Sequence, residues 1–397
     1  MITSIEIDNF KSLVNFNMKL DAFNCLVGLN GSGKSTVLQG MDFISQLMKG
    51  DLTSWLKNRS WDAADLNSKL TKKSNIDVTV TFNIEGVGKV FWSASINRVS
   101  LHCTWEEITI SQGLVLLKVA DGRCKLGLPN DKDIENSGSF ESLQRHFETE
   151  NLPIVFKYQG SIISQLQDKQ LHPVLKIIKL LLTNFRSLEL LSPALLRQEN
   201  SESSGSLGMG GEKLSAYLYD LSRDGKKHMA SKLQGLYPRL KEFKATAKKS
   251  GEKQLEIVEQ YEGNTLRTGA RHVNDGLLRM MAVFSQLKED QSFLLFDEIE
   301  NGINPELVEA LVDELVNTKQ QVLITTHSPM ILNYLEDDVA KSGITYLYKN
   351  KNGHTQAIKL FDIPSMSKKL QFMGPGEAFV DTDLSMLANE IFEIENS

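Results

Sequence analysis

The chain has 397 residues, a formal net charge of −6, 41% hydrophobic residues and 24% charged residues. That length suits two to three lobes, and the composition is that of a folded globular chain, which excludes disordered and collagen-like classes. The negative charge excludes a wholly basic nucleic-acid binder; the pairs Lys72-Lys73, Lys226-Lys227, Lys248-Lys249 and Lys368-Lys369 read as solvated surface unless several converge on one face. No window approaches the roughly 18 apolar residues of a membrane helix, and the opening MITSIEIDNFKSL lacks a leader pattern, so a cytoplasmic protein with no membrane contact is expected. Cys25, Cys103 and Cys124 are widely spaced without CxxC pairing and read as free buried thiols.

In chain order, SIEIDNF and AFNCLVGLN read as strands, and TVLQGMDFISQLM continues as a helix that Gly50 stops. From about Asn75 to Gly127, IDVTVTFNI, KVFWSASI, VSLHCTWEEITI and GLVLLKVA predict an antiparallel sheet with Gly and Asn turns. LPNDKDIENSGS reads as a loop. Helical spacing returns in SIISQLQ and HPVLKIIKLLLTNF, then SLELLSP predicts a strand that Pro193 closes, and RQENSESSGSLGMGG a glycine-rich joint. Beyond it are predicted helices in LSAYLYDLS and HMASKLQGLYPRLKEF, strands in FKATAKK and QLEIVEQY, and a helix from about Asp275. FLLFDE, PELVEALVDELVN, QVLITTHS and PMILNYL then alternate strand, helix, strand, helix, the pattern of a parallel sheet with crossovers. The tail helix carries Leu384, Leu387, Ile391 and Ile394 on one stripe, a core-packing face or a docking face. Heptads sustained over several repeats are not found, so a long coiled-coil arm is excluded.

Two stretches carry chemistry. Gly28-Leu29-Asn30-Gly31-Ser32-Gly33-Lys34-Ser35-Thr36 fits the phosphate-loop pattern at every fixed position. Its glycines let backbone N–H groups converge on a phosphate at a helix N-terminus, Lys34 reaches the terminal phosphates, and Ser35 ligates Mg2+. Asp297 ends an apolar strand and is placed to hold the metal, with Glu298 beside it to polarise the attacking water. Thr325-Thr326-His327 ends the next strand, and His327 is read as a γ-phosphate contact.

These motifs together resemble the ABC-class ATPases of the RecF and SMC type, in particular the compact bacterial "AAA family ATPases" without coiled-coil arms. The resemblance runs over roughly 1–50 and 155–350, SPALLR and LSAYL included. It implies an α/β fold: a P-loop NTPase head with a mixed sheet and an inserted antiparallel β subdomain and helical lobe. The nucleotide core is expected from 1–50 plus 290–360, the rest of the first lobe from 51–190, a second lobe from 191–289 and tail helices from 361–397. The opening I-x-x-F-K-S-L looks like the family's first strand and turn, which implies that Lys11 approaches the phosphates. Val273-Asn274-Asp275-Gly276-Leu277-Leu278-Arg279 resembles its signature L-S-D-G-x-x-R, with Asn274 where serine is usual. The resemblance implies that Asn274, Asp275 and Gly276 bind the nucleotide held by a second subunit. Glu300, Asn301 and Gly302 match its interface loop, with Asn304 in place of a common histidine, and Gln159 is the candidate for the glutamine that reaches the metal. The implied cofactors are ATP and Mg2+, and the implied assembly is a homodimer with composite ATP sites.

Two functions remain open. One is an ATP-gated, DNA-engaging ATPase of repair or anti-phage defence. The other is a regulatory switch that controls a separately encoded effector, a nuclease or toxin, since the chain carries no nuclease signature.

Overall fold

The computed structural model describes residues 1–111, 113–127, 149–189, 191–203, 205–287 and 292–395. The loop expected at LPNDKDIENSGS lies outside them. The chain forms two compact units, Met1–Phe185 with Lys341–Pro364, and Arg186–Ala340 with Ser365–Ser397. This division differs from the expected lobes, which joined 290–360 to the first 50 residues.

In the first unit an eight-stranded sheet runs in the order Phe16–Lys19, Ile2–Asp8, Asn75–Ile84, Gly88–Asn97, His102–Ile110, Val115–Ala120, Arg123–Gly127, Thr149–Pro153. Each pairing recorded within it is antiparallel. The opening strand therefore belongs to this sheet, where Ile2, Ile5 and Ile7 are buried. Ile7 packs against the helix Lys34–Lys49, whose Gly40 is required by close packing: a Cβ there would lie 2.9 Å from Ile7 Cδ1. Phe10 and Phe43 stack at 5.1 Å in the same core. A second layer of strand pairing joins Phe23–Val27, buried along its whole length, in parallel to Ile344–Lys349, which pairs antiparallel with Thr355–Lys359.

In the second unit Phe293–Phe296 and Gln321–Thr325 are parallel and fully buried, which explains why both read as continuous apolar runs. The crossover helix Pro305–Val316 begins with proline and buries Val308, Leu311, Val312 and Leu315. A three-stranded antiparallel sheet, Leu240–Ala247, Lys253–Tyr261 and Asn264–Gly269, packs with the helices Leu214–Asp220 and Arg223–Leu236. The tail helix Leu384–Glu395 buries Leu387 and Ile391, while Ile394 is exposed.

Three local expectations are corrected. The helix predicted through HMASKLQGLYPRLKEF stops at Leu236, because Pro238 has no N–H to continue the ladder, and Leu240–Ala247 is a strand. SIISQLQ forms only the 3-10 turn Ile162–Gln165. SLELLSP is a strand displaced toward its N-terminal side, Phe185–Leu188.

Candidate nucleotide site

The phosphate loop follows the buried strand Phe23–Val27 and opens the helix Lys34–Lys49. Gly28, Gly31 and Gly33 have φ of 147°, 78° and 112°, values that side chains with a Cβ rarely adopt. Lys34 is buried, and its Nζ donates to the carbonyls of Gly28 at 2.8 Å and Leu29 at 3.3 Å. Its ammonium thus sits inside the turn of the loop. Ser32 is buried and its Oγ has no hydrogen-bond partner among the described residues. A buried orphan hydroxyl within a ring of glycines fits a phosphate group, which supplies acceptors that the protein does not. Asn30, Gly31 and Ser35 are exposed, and Thr36 is half-buried.

The hairpin Ile344–Lys349 and Thr355–Lys359 backs this loop. A Cβ at Gly28 would lie 2.3 Å from the carbonyl oxygen of Leu347, and one at Gly33 would lie 2.3 Å from Thr355 Oγ1. Thr355 Oγ1 donates to the Ser32 carbonyl at 2.8 Å.

Lys11 sits in the tight turn after the first strand with φ 49°. Its Nζ donates to Gln39 Oε1 of the phosphate-loop helix at 2.9 Å and lies 3.2 Å from the centroid of the Trp61 ring, a cation–π contact. Arg59, 4.9 Å from the same ring, is held by Asp42 at 2.7 Å, an acid that also accepts from Trp55 Nε1 at 2.7 Å. Lys11 is therefore tied to the helix that the loop opens. Gln159 has both amide atoms engaged by Thr53, through its Oε1 to the backbone N–H at 3.0 Å and its Nε2 to the hydroxyl at 2.7 Å.

In the second unit the acids form one cluster with the residues after Gln321–Thr325. Thr325 Oγ1 donates to Asp297 and accepts the backbone N–H of Glu298 at 2.9 Å. Glu298 has φ 45°, a left-handed conformation that costs a non-glycine residue roughly 1–3 kcal/mol. The His327 ring lies 3.4 Å from the Glu298 carboxylate, and both side chains are more than two-fifths exposed. Glu300 Oε1 accepts from the Thr326 hydroxyl at 2.9 Å and from the backbone N–H groups of His327 at 2.8 Å and Ser328 at 3.2 Å, while its buried Oε2 is unpartnered among the described residues. One carboxylate thus shapes the histidine turn.

The signature-like segment opens the helix Asp275–Gln286. Asn274 Oδ1 caps it by accepting from Leu277 N at 2.8 Å. Asp275 pairs with Arg197, whose guanidinium also donates to the Val273 carbonyl at 2.7 Å. Gly276 is buried, and a Cβ there would lie 3.2 Å from the carbonyl oxygen of Gly302. Arg279 lies across Gly302; burial pulls its guanidinium pKa down, with Asp275 and Glu298 opposing. The structure therefore brings Asn274, Asp275 and Gly276 to the same loop as Glu298 and Glu300. Thr355, Arg197 and the shaping role of Glu300 were missed by sequence reasoning, and only SPALLR, which ends in Arg197, offered a signal.

One member of each lysine pair is engaged internally: Lys73 with Asp8, Lys226 with the Tyr219 carbonyl at 2.7 Å, Lys248 with Glu199, and Lys369 with Asp381 at 3.1 Å. Among the described residues, no cluster of three or more His, Cys, Asp or Glu residues is arranged to hold a metal, and no helix is long and apolar enough to cross a membrane. The three cysteines are buried and, among the described residues, form no disulfide.

Residues 1–106 match the family described as "AAA ATPase domain". Residues 162–333 match the family described as "AAA domain, putative AbiEii toxin, Type IV TA system". Over 96 residues, 24% of the chain, it is 29% identical to the phosphonates import ATP-binding protein PhnC of Staphylococcus saprophyticus and to that of Staphylococcus haemolyticus. The match spans 37% of the length of those relatives. Among solved structures, the SMC head bound to the C-winged helix domain of ScpA superposes with a TM-score of 0.53 at 14% identity, covering 90% of this chain and 97% of that one. The phosphate loop and the acid-ended strand lie in the two segments that match AAA ATPase domain families, and the fold is like that of an SMC head.

Proposed function

We propose that the chain is an ATP-driven switch that hydrolyses ATP and closes into a homodimer while ATP is bound. In this reading the loop Asn30–Thr36 holds the phosphates through backbone N–H groups, Lys34 neutralises the terminal oxygens, and Ser35 and Asp297 hold Mg2+, which offsets phosphate charge when bound. Glu298 orients the attacking water, His327 contacts the terminal phosphate, and Lys11 leaves Trp61 for the phosphates. Asn274, Asp275 and Gly276 face the nucleotide of a second copy across the interface. Differential affinity of ATP for the closed pair supplies the energy of switching.

The observation that carries this reading is the strained Glu298, held at φ 45° between Thr325 and His327, because strain at an exposed acid is retained where a reaction uses it. Light scattering tests it. Glu298→Gln with ATP should be a stable dimer, and Lys34→Ala should bind no nucleotide. A monomeric Glu298→Gln protein at saturating ATP would refute the dimer mechanism.

Downstream, we favour engagement of DNA in repair or anti-phage defence, which rests on the SMC-like fold and the AbiEii-type family description. The competing reading is control of a separate effector protein. The solved relative was crystallised with a winged-helix domain of another protein, which favours a protein partner, as does the engagement of one lysine in each basic pair. The salt dependence of DNA binding separates the two, since phosphate contacts give a steep negative slope of log affinity against log salt and protein contacts do not.

A further inference from the structure

We propose that Thr355, on the hairpin remote in sequence from the phosphate loop, is a positioning residue that sets the loop's phosphate-binding conformation. The inference rests on the reading of Asn30–Thr36 as the phosphate site.

The hydrogen-bond inventory around the Thr355 hydroxyl fixes the direction of each bond. Its Oγ1 lies 2.8 Å from the Ser32 carbonyl, 2.8 Å from Ser12 Oγ and 2.8 Å from Lys349 Nζ. A carbonyl can only accept and an ammonium can only donate, so the one threonine proton goes to Ser32 and the Lys349 ammonium fills one of the oxygen's two acceptor sites. The remaining acceptor site requires Ser12 to donate. Thr355 is completely buried, and its backbone N–H is fixed separately by the Ser12 carbonyl at 2.8 Å. Partial burial lowers the pKa of Lys349.

This hydroxyl grips the peptide that must be aimed. The Ser32 carbonyl belongs to the peptide unit whose N–H is that of Gly33, the residue that opens the helix. Pinning the carbonyl outward on Thr355 turns the Gly33 N–H toward the interior of the loop, where a phosphate would sit. Thr355 also occupies the space that a side chain at residue 33 would need, with its Cγ2 2.9 Å from an added Cβ. Leu347 does the same at Gly28, so one hairpin brackets both ends of the glycine run. The residue held by this bond is the one whose buried Oγ has no hydrogen-bond partner among the described residues.

The test compares Thr355→Val, which keeps the shape and removes the hydroxyl, with Thr355→Ser, which keeps the hydroxyl. Calorimetric titration with ATP and with inorganic tripolyphosphate should show Thr355→Val weakened at least about tenfold for both ligands, as expected when the Ser32 carbonyl loses its donor. Thr355→Ser should stay within about threefold of wild type, since the bond to Ser32 survives. Ser12→Ala, which removes only a donor to Thr355, should also bind as wild type. Wild-type affinity in a folded Thr355→Val protein overturns the proposal even if its Tm falls, because a merely structural role moves Tm and not affinity. If Thr355→Val does not fold, Thr355→Ala, which also removes the hydroxyl, is the substitute: an affinity unchanged from wild type overturns the proposal, and a severalfold loss supports it. Lys34→Ala separates the two readings. If it binds tripolyphosphate normally, the phosphate-site reading itself fails; if it does not bind and Thr355→Val does, only the inference fails.

Discussion

Glu300 holds His327 by its backbone: the carboxylate Oε1 accepts the histidine N–H at 2.8 Å, together with the Thr326 hydroxyl and the Ser328 N–H. A single carboxylate oxygen therefore fixes the turn from which the imidazole reaches Glu298. Glu300→Ala should lower the steady-state ATPase rate by about 100-fold or more, since charge-assisted bonds of roughly 1.5–3 kcal/mol each are lost together. Nucleotide affinity should change little. Equal losses in both would show that Glu300 supports the fold and not the hydrolytic geometry.

Arg197 ties the signature-like helix from its N-terminal side, donating to Val273 and pairing with Asp275. Arg197→Ala should leave nucleotide binding by the monomer within about twofold and reduce ATP-dependent dimerisation by about tenfold, the scale of one partly exposed, charge-assisted contact. Sedimentation at several protein concentrations checks it. Unchanged dimerisation would remove Asp275 from the proposed interface.

Lys11 Nζ lies 3.2 Å from the centroid of the Trp61 ring. If ATP draws the ammonium toward its phosphates, Trp61 loses that cation and its emission should shift on titration. The shift should vanish in Trp61→Phe and in Lys34→Ala. An identical titration curve in Trp61→Phe would assign the signal to another tryptophan and count against Lys11 as a phosphate ligand.

Lys359 is a buried amine whose Nζ has no partner among the described residues, and burial lowers its pKa to about 8, despite Asp21 and Asp362. Its folded-state value lies below its unfolded value, so between about pH 8 and the ordinary lysine range the unfolded chain binds more protons. Stability from this group therefore rises with pH through that window and is lost as pH falls through it. Lys359→Met should raise Tm at pH 7, by a gain of roughly 1–3 kcal/mol, and the advantage should shrink toward pH 10. A pH-independent difference between the two proteins would show that the amine is solvated in solution.

Much of this site was legible before any coordinates. The phosphate loop, FLLFDE and the Thr-Thr-His turn are contiguous segments whose chemistry depends on neighbours within a few residues, and strand, loop and helix signals flank them. The antiparallel segment announced itself by alternation. The misreadings were also local in kind. Pro238 ended a helix whose periodicity continued past it, and six strands, Phe16–Lys19, Arg123–Gly127, Thr149–Pro153, Asn264–Gly269, Ile344–Lys349 and Thr355–Lys359, were passed over because each is six residues or shorter. In runs that short, pairing partners decide the conformation more than propensity does.

The sequence by itself determined that the chain carries a phosphate loop and an acid-ended strand, because those chemistries are written in residue spacing. The tertiary structure decided which distant groups hold them in shape. Thr355 meets the Ser32 carbonyl across 323 positions of sequence, and the Ser12 hydroxyl across 343. No periodicity reports such a pairing, since a threonine at the start of an ordinary strand looks the same whether it faces solvent or a phosphate loop. Only the path of the chain brings a buried donor to a carbonyl that would otherwise lack one.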